Sequence, residues 1–370
     1  MMNPFMYGCV VEGEFFCPRP KMEKELRTYA ERGQNVVIQG ERRMGKTSLV
    51  RRAIGTMRGE RLLYIDLYCI KTMSDFCERV MSGIGRVTDK MSFLKKALAL
   101  AARIRPTMSI DPYTGNPAIS IDARAAAEPD SLSVVMKAVE RLASEGKLCV
   151  VFDEVQDILK LENSDRVLAE MRSTIQFQQK TAYFFLGSVR NEMERIFTDD
   201  RSPFFKSALP YEVGAIDEDA FTRFIVSRFR KGCRKISDAV VKEVLTFAGG
   251  VCGDVQELCD ALWEVTDDGA EIVSADVERA LKVIFAHERK GFESTIVALT
   301  PNQMSVLRGL AVVGTKKIFS AEFMGRVGKT SPGVIKRAMN SLEELRIVYP
   351  YLGEYRFSNP FLREWIKRGI

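Results

Sequence analysis

The sequence has one histidine, His287, and no CxxC pair among its eight cysteines. One histidine cannot build a zinc centre alone, and Cys252 and Cys259 have no further partners at ligand spacing. The cysteines sit mostly among apolar neighbours, which reads as reduced, buried small hydrophobes of a cytoplasmic protein rather than as a disulfide framework. Long apolar runs are missing too. The longest, around Ala97 to Ala102, stops at Arg103, well short of a membrane span, so no membrane partner is expected. The opening Met1-Met2-Asn3-Pro4-Phe5 lacks a basic stretch followed by an apolar one, and no signal peptide is expected.

What is present is an ordinary globular composition. The chain has 370 residues, 46% hydrophobic and 28% charged, enough for two or three domains. Its net charge is +6. Gly291 to Ile370 alone carries twelve basic and six acidic residues, so the remainder is neutral. Positive charge confined to the C-terminal segment favours an anionic partner there, an idle basic surface being the alternative.

Short apolar runs recur through the first two hundred residues: Asn35 to Gln39, Leu62 to Asp66, Leu148 to Phe152 and Tyr183 to Leu186, with a fifth strand expected near Pro210 to Val213. Continuous apolar runs separated by helical stretches predict a parallel sheet covered on both faces. Between the second and third runs, Thr107 to Asp122 alternates on either side of a Pro/Gly/Asn turn and reads as an accessory β-hairpin, a partner contact or a passive decoration. From Asp217 to about Lys290 the pattern is wholly helical. Asp217 is placed to cap one helix, a second spans about Ser237 to Phe247 before Gly249-Gly250, and a third begins near Asp254. The last eighty residues predict helices near Asn302 to Leu310, Ala321 to Gly325 and Thr330 to Leu345, with Ser331 as cap and Pro332 in the first turn. Strands at Ile347 to Tyr351 and Tyr355 to Phe357 complete a winged helix-turn-helix. In the third helix Ile335, Ala338, Met339, Leu342 and Leu345 make an apolar face, while Lys336, Arg337 and Asn340 point elsewhere.

Gly40-Glu41-Arg42-Arg43-Met44-Gly45-Lys46-Thr47 is a full phosphate-binding-loop pattern, with a strand before it and an amphipathic helix from Ser48 after it. Such glycines let backbone N–H groups of residues 40–48 converge on phosphate oxygens, and the helix N-terminus adds a partial positive charge. Lys46 is expected to reach the β and γ phosphates of ATP, and Thr47 to give Mg2+ a hydroxyl ligand. Leu148 to Glu154 ends a buried strand on two acids. Asp153 is expected to hold Mg2+ through a water and Glu154 to polarise the attacking water, which favours hydrolysis over mere binding. No NKxD string follows, so ATP, with ADP as product, is the default nucleotide. A second string, Gly325 to Ser331, imitates the loop, but its first glycine position is Phe323 and no strand precedes it.

With these motifs in place, the chain resembles the archaeal-type ATPases of the STAND class, relatives of AAA+ proteins. The resemblance rests on the loop, on Asp153-Glu154-Val155-Gln156-Asp157, on Gly187-Ser188-Val189-Arg190, on Asn3 to Gly8, on Arg201 to Phe205 and on Ser358 to Trp365. It implies an ATPase core, a helical lid and a winged helix, and a sensor-like polar residue on the fourth strand, here Ser188. One position departs from the pattern. Where origin-recognition relatives carry an arginine in the lid that senses the γ-phosphate, this chain has Gln256 in Gly253-Asp254-Val255-Gln256. Arg190, Arg195 and Arg201 are the alternative cations, as an arginine finger or as solvated side chains.

The sequence therefore predicts an α/β protein: a P-loop parallel-sheet core over 1–213 with its hairpin at about 107–122, a lid over 214–290 and a winged helix over 291–370. The expected activity is ATP hydrolysis serving as a molecular switch. Its output is either double-stranded DNA binding, with Lys336, Arg337 and Asn340 on the helix and Arg356 on the wing, or contact with a partner protein or a second copy of the chain. The alternatives are an ATP-regulated DNA-binding replication, transposition or regulatory factor, and an interaction scaffold with little turnover.

Overall fold

A computed structural model of the chain describes residues 2–57, 59, 61–87, 104–110, 117–122, 131–178, 181–314, 316–328, 331–351 and 353–369. Two compact units are present. One is Glu12–Gly214; the other combines Met1–Val11 with Ala215–Ile370.

The strands of the first unit are β1 (Val36–Gln39), β2 (Arg61–Asp66), β3 (Pro106–Ile110), β4 (Pro117–Ile121), β5 (Leu148–Asp153), β6 (Thr181–Leu186) and β7 (Leu209–Glu212). Five of them form a sheet in the order β2-β5-β6-β1-β7, every neighbouring pair parallel. The apolar runs behave as their continuity predicts: every residue of β5 and of β6 is buried. On one face Phe152, Tyr183 and Phe185 lie nearly parallel, with centroids 6.0 to 6.3 Å apart, and Phe76 continues the row at 6.4 Å from Phe152. Pro210 lies in β7, an edge strand, where a missing ladder donor is tolerated. Because β6 separates β1 from β5, the loop after β6 is carried between the ends of the other two.

The accessory hairpin pairs β3 with β4 antiparallel; its turn, 111–116, lies outside the described residues. It is anchored rather than detached. Ile119 and Ile121 are buried in the main core cluster, and the Ile121 N–H donates to Glu78 Oε1 at 2.9 Å.

The second unit opens with the helix Glu218–Lys231, whose cap Asp217 accepts the Ala220 N–H at 2.9 Å. It continues with helices Asp238–Phe247, Cys252–Glu264 and Ser274–Val297. The stretch expected to be wholly helical also contains two two-residue strands, β8 (Lys235–Ile236) and β9 (Glu271–Ile272), which pair in parallel. They are too short for an alternating pattern to register in the sequence. Helix Ser274–Val297 runs through position 290 into the winged-helix segment. That segment consists of helices Pro301–Val312, Ala321–Val327 and Pro332–Glu344, strands β10 (Val348–Tyr351) and β11 (Glu354–Phe357), and a closing helix Pro360–Arg368. Ser331 stands at the N-cap of the third helix, but its side chain makes no capping bond, contrary to expectation. The closing helix seats Phe361 against Phe247 (5.5 Å) and Trp365 against Phe292 (5.7 Å). The chain's opening residues join this same unit: Asn3 Nδ2 donates to Asp260 Oδ1 at 2.7 Å, and the buried Phe5 ring lies 4.7 Å from that of Phe229.

Candidate active site

The loop after β1 sits at the carboxyl ends of parallel strands, where open α/β sheets bind ligands. A Cβ on Gly40 would stand 2.5 Å from the Val213 carbonyl oxygen, so the approach of the loop to the chain after β7 demands glycine. Arg43 (φ 65°) and Gly45 (φ 75°) take left-handed conformations, which turn the chain into the helix Lys46–Gly55. Met44 is buried and pins the loop to the core, while Arg42 is exposed and Glu41 and Arg43 are half-buried. Lys46 is buried at 7% exposure, and its ammonium donates to the Gly40 and Glu41 carbonyls at 2.9 Å each. Ser48, two residues further along the helix, is also buried.

Arg19 supports the loop from behind, and sequence reading gave no sign of it. The guanidinium is 7% exposed and donates to the Met44 carbonyl at 2.8 Å and to the Gly214 carbonyl at 3.1 Å. One buried cation thus ties the phosphate loop to the last residue of the sheet-bearing unit. Its own backbone N–H donates to Glu23 Oε1 at 3.0 Å.

The two acids end β5, one strand beyond β6. Asp153 is 6% exposed. Its Oδ2 accepts from Thr47 Oγ1 at 2.5 Å and from the Tyr64 hydroxyl at 2.7 Å, and its Oδ1 accepts the Glu154 N–H at 2.9 Å. Tyr64 was also missed, because inside the apolar run of β2 a tyrosine reads as core. Burial first, and then the Asp153 charge, push its phenol pKa well above the usual range, so it stays a donor.

Glu154 has left-handed backbone angles, φ 50° and ψ 43°, a conformation uncommon for a non-glycine residue. Its carboxylate accepts from Ser188 Oγ, 3.1 Å from Oε2 and 3.3 Å from Oε1, and from the Gln156 amide. Asp157, 1% exposed, accepts the Cys69 N–H at 2.7 Å and pairs with Lys160 at 2.6 Å, joining the turn after β5 to that after β2. Thr47, Asp153, Glu154 and Ser188 are thus joined by a chain of hydrogen bonds at the carboxyl end of the sheet, with Lys46 adjacent to Thr47 in sequence.

Arg190 pairs with Glu212 at 3.4 Å and Arg201 with Asp199 at 2.8 Å, all within the chain, and Arg195 is exposed. Gln256 is buried within its helix at 7% exposure. In the winged helix Lys336, Arg337 and Asn340 are exposed, opposite the buried Ile335, Ala338, Met339 and Leu342. Arg356 differs from these three: it is half-buried, stacked over Tyr351 at 3.8 Å and 3.9 Å from Glu354. The imitation loop overlaps the helix Ala321–Val327, in which Phe323 is fully buried; Lys329 and Thr330 lie outside the described residues.

Two oxygen donors from different elements, the Thr47 hydroxyl and the Asp153 carboxylate, suit a hard cation that keeps waters and phosphates as its other ligands. Among the described residues no group of three or more His, Cys, Asp or Glu could hold a metal by itself. Nor is any described helix long and apolar enough to cross a membrane.

A parallel sheet with a glycine loop after its first strand and a pair of acids at the end of the strand two places away defines a P-loop α/β ATPase fold. Residues 16–258 match the family described as "ATPase domain predominantly from Archaea", and the chain belongs to that family. Residues 290–368 match a family described as "Probable winged helix domain". None of the curated proteins matches the chain. Among solved structures, the Walker-type ATPase PABY2304 of Pyrococcus abyssi is similar at 17% identity and TM-score 0.65, over 96% of this chain and 97% of that one. The Aeropyrum pernix ORC2 protein is similar at 15% identity and TM-score 0.54, over 98% of both chains. The Aeropyrum pernix ORC1 protein, solved in complex with DNA, is similar at 14% identity and TM-score 0.51, over 97% of this chain and 98% of that one. At these identities the likeness is one of fold.

Proposed function

We propose that the chain binds ATP with Mg2+ at the loop of residues 40–48 and hydrolyses it to ADP and phosphate. The observation that carries this reading is the 2.5 Å contact between Thr47 and Asp153 with Glu154 immediately beyond it. A loop hydroxyl beside a strand-end carboxylate offers the kind of oxygen ligands that the Mg2+ of P-loop proteins uses, which supports the reading. In this reading the loop N–H groups and the Lys46 ammonium bind the phosphates, the ammonium leaving the loop carbonyls for phosphate oxygens. Thr47 and Asp153 hold Mg2+, which when bound neutralises charge developing on the phosphates. Glu154 accepts a hydrogen bond from the attacking water and orients it, and Ser188 fixes the Glu154 carboxylate. In Glu154→Gln the acceptor charge is lost at constant size. The expected result is ATP binding close to the parent's with turnover at least about a hundredfold slower. Equal turnover of variant and parent would remove Glu154 from this role.

The output reading is a nucleotide-controlled switch whose winged helix contacts duplex DNA. Three exposed polar side chains, Lys336, Arg337 and Asn340, on a helix with its apolar side buried favour it. So does the surplus positive charge of Gly291 to Ile370. Salt-sensitive duplex binding in ATP, in ADP or without nucleotide tests it; its absence in all three states leaves a partner protein as the target.

A further inference from the structure

Gln156 is fully buried, two residues beyond Glu154 in the 3-10 turn Val155–Lys160. Its amide nitrogen donates to Glu154 Oε2. Its amide oxygen has no hydrogen-bond partner among the described residues. That oxygen lies beside Gly187, where a Cβ would stand 2.5 Å from it. The amide and the Met193 side chain, whose Sδ would stand 2.2 Å from the same Cβ, share the room left by the missing side chain at the end of β6. Packing alone does not account for a glutamine here. A methionine or leucine would fill the same room without burying an unpartnered oxygen, an arrangement that native interiors rarely keep. The half of the amide that has a partner is spent on Glu154.

We infer that Gln156 is a positioning residue for Glu154. Its N–H, together with the Ser188 hydroxyl, holds the carboxylate in the orientation from which it acts on water. The two donors come from different elements, the turn after β5 and the loop after β6, so the carboxylate is fixed against both. This restraint matters because the Glu154 backbone is left-handed, a state that a non-glycine residue keeps only where its surroundings determine it. The inference rests on the proposed role of Glu154 and extends it: Gln156, fully buried, acts through the carboxylate to which it donates.

The test is a double-mutant cycle on the full chain, reading ATP affinity by titration and turnover by phosphate release. Gln156→Met removes the donor at similar volume. The expected result is an ATP Kd within about twofold of the parent and a kcat about ten- to a hundredfold lower, the cost of one hydrogen bond to a charged group. In the Glu154→Gln background the same substitution should change residual turnover by less than about twofold, because its target is already gone. A purely structural glutamine gives the opposite pattern, the full loss repeated in that background, and overturns the inference. So does parental turnover in Gln156→Met. Gln156→Glu, which keeps the shape and puts an acceptor where the donor was, should show the same kcat loss and carries the test if the methionine variant does not fold. If neither folds, Gln156 is structural and the inference fails. The underlying reading fails separately, when Glu154→Gln itself turns over at the parental rate or when the parent has no turnover.

Discussion

Ser188 Oγ lies 3.1 Å from Glu154 Oε2, so the polar residue after β6 is directly bonded to the acid after β5. The two residues are 34 positions apart and meet because β5 and β6 are neighbours in the sheet. Ser188→Ala removes one of two side-chain donors to the carboxylate. Its kcat should fall about tenfold with ATP affinity retained, a smaller loss than for Glu154→Gln. Steady-state kinetics of the two variants side by side check the ranking.

Lys46→Ala removes a buried cation at the phosphate loop. ATP affinity should fall by about 1.5–3 kcal/mol, roughly ten- to a hundredfold in Kd, the range for a charge-assisted hydrogen bond. Calorimetric titration measures it, and unchanged affinity would count against the loop as the phosphate site.

Tyr64→Phe deletes one of the two hydroxyls on Asp153 Oδ2. The variant should lose about 1–2 kcal/mol of stability and need more Mg2+ for half-maximal turnover, while its ATP affinity without Mg2+ stays at the parental value. Melting curves and a Mg2+ titration separate the two effects.

At Gly40→Ala the added Cβ would meet backbone, the Val213 carbonyl, at 2.5 Å. Neither the loop nor the chain after β7 can yield by rotating a side chain. Destabilisation of about 1–3 kcal/mol is expected, with weakened ATP binding. Thermal unfolding and nucleotide titration of the purified variant check both.

Lys336→Ala with Arg337→Ala removes two exposed charges and leaves Ile335, Ala338, Met339 and Leu342 in place. Duplex affinity should drop and the salt slope flatten by about one per lost phosphate contact, with ATP turnover in the absence of DNA unchanged. A slope equal to the parent's would place DNA contact elsewhere or nowhere.

The sheet was legible because its strands are continuous apolar runs ending in residues of the candidate site: Val36 to Gln39 runs into Gly40, and Leu148 to Phe152 runs into Asp153. The loop glycines and the acid pair carry their chemistry in local order, so spacing suffices to find them. The supports of the site were not legible. Tyr64 and Arg19 meet Asp153 and Met44 only through strand order and chain crossing, which no local pattern encodes. Arg356 reads as a free wing cation until its stacking on Tyr351 is seen. Ser331 has a capping residue's identity and position without the bond, since a hydroxyl there can also face solvent.

Phe5 and Asn3 draw a different kind of line through the molecule. Asn3 reaches Asp260 across 257 positions, which makes the sheet-bearing unit an insertion within the other unit rather than the first bead on a string. During synthesis the partners of Asn3 and Phe5 are made only after the whole sheet, so these contacts can form only once the following helices exist. An affinity tag fused ahead of Asn3 or a truncation past Phe5 should therefore register in the melting of the helical and winged-helix unit, leaving the nucleotide loop untouched.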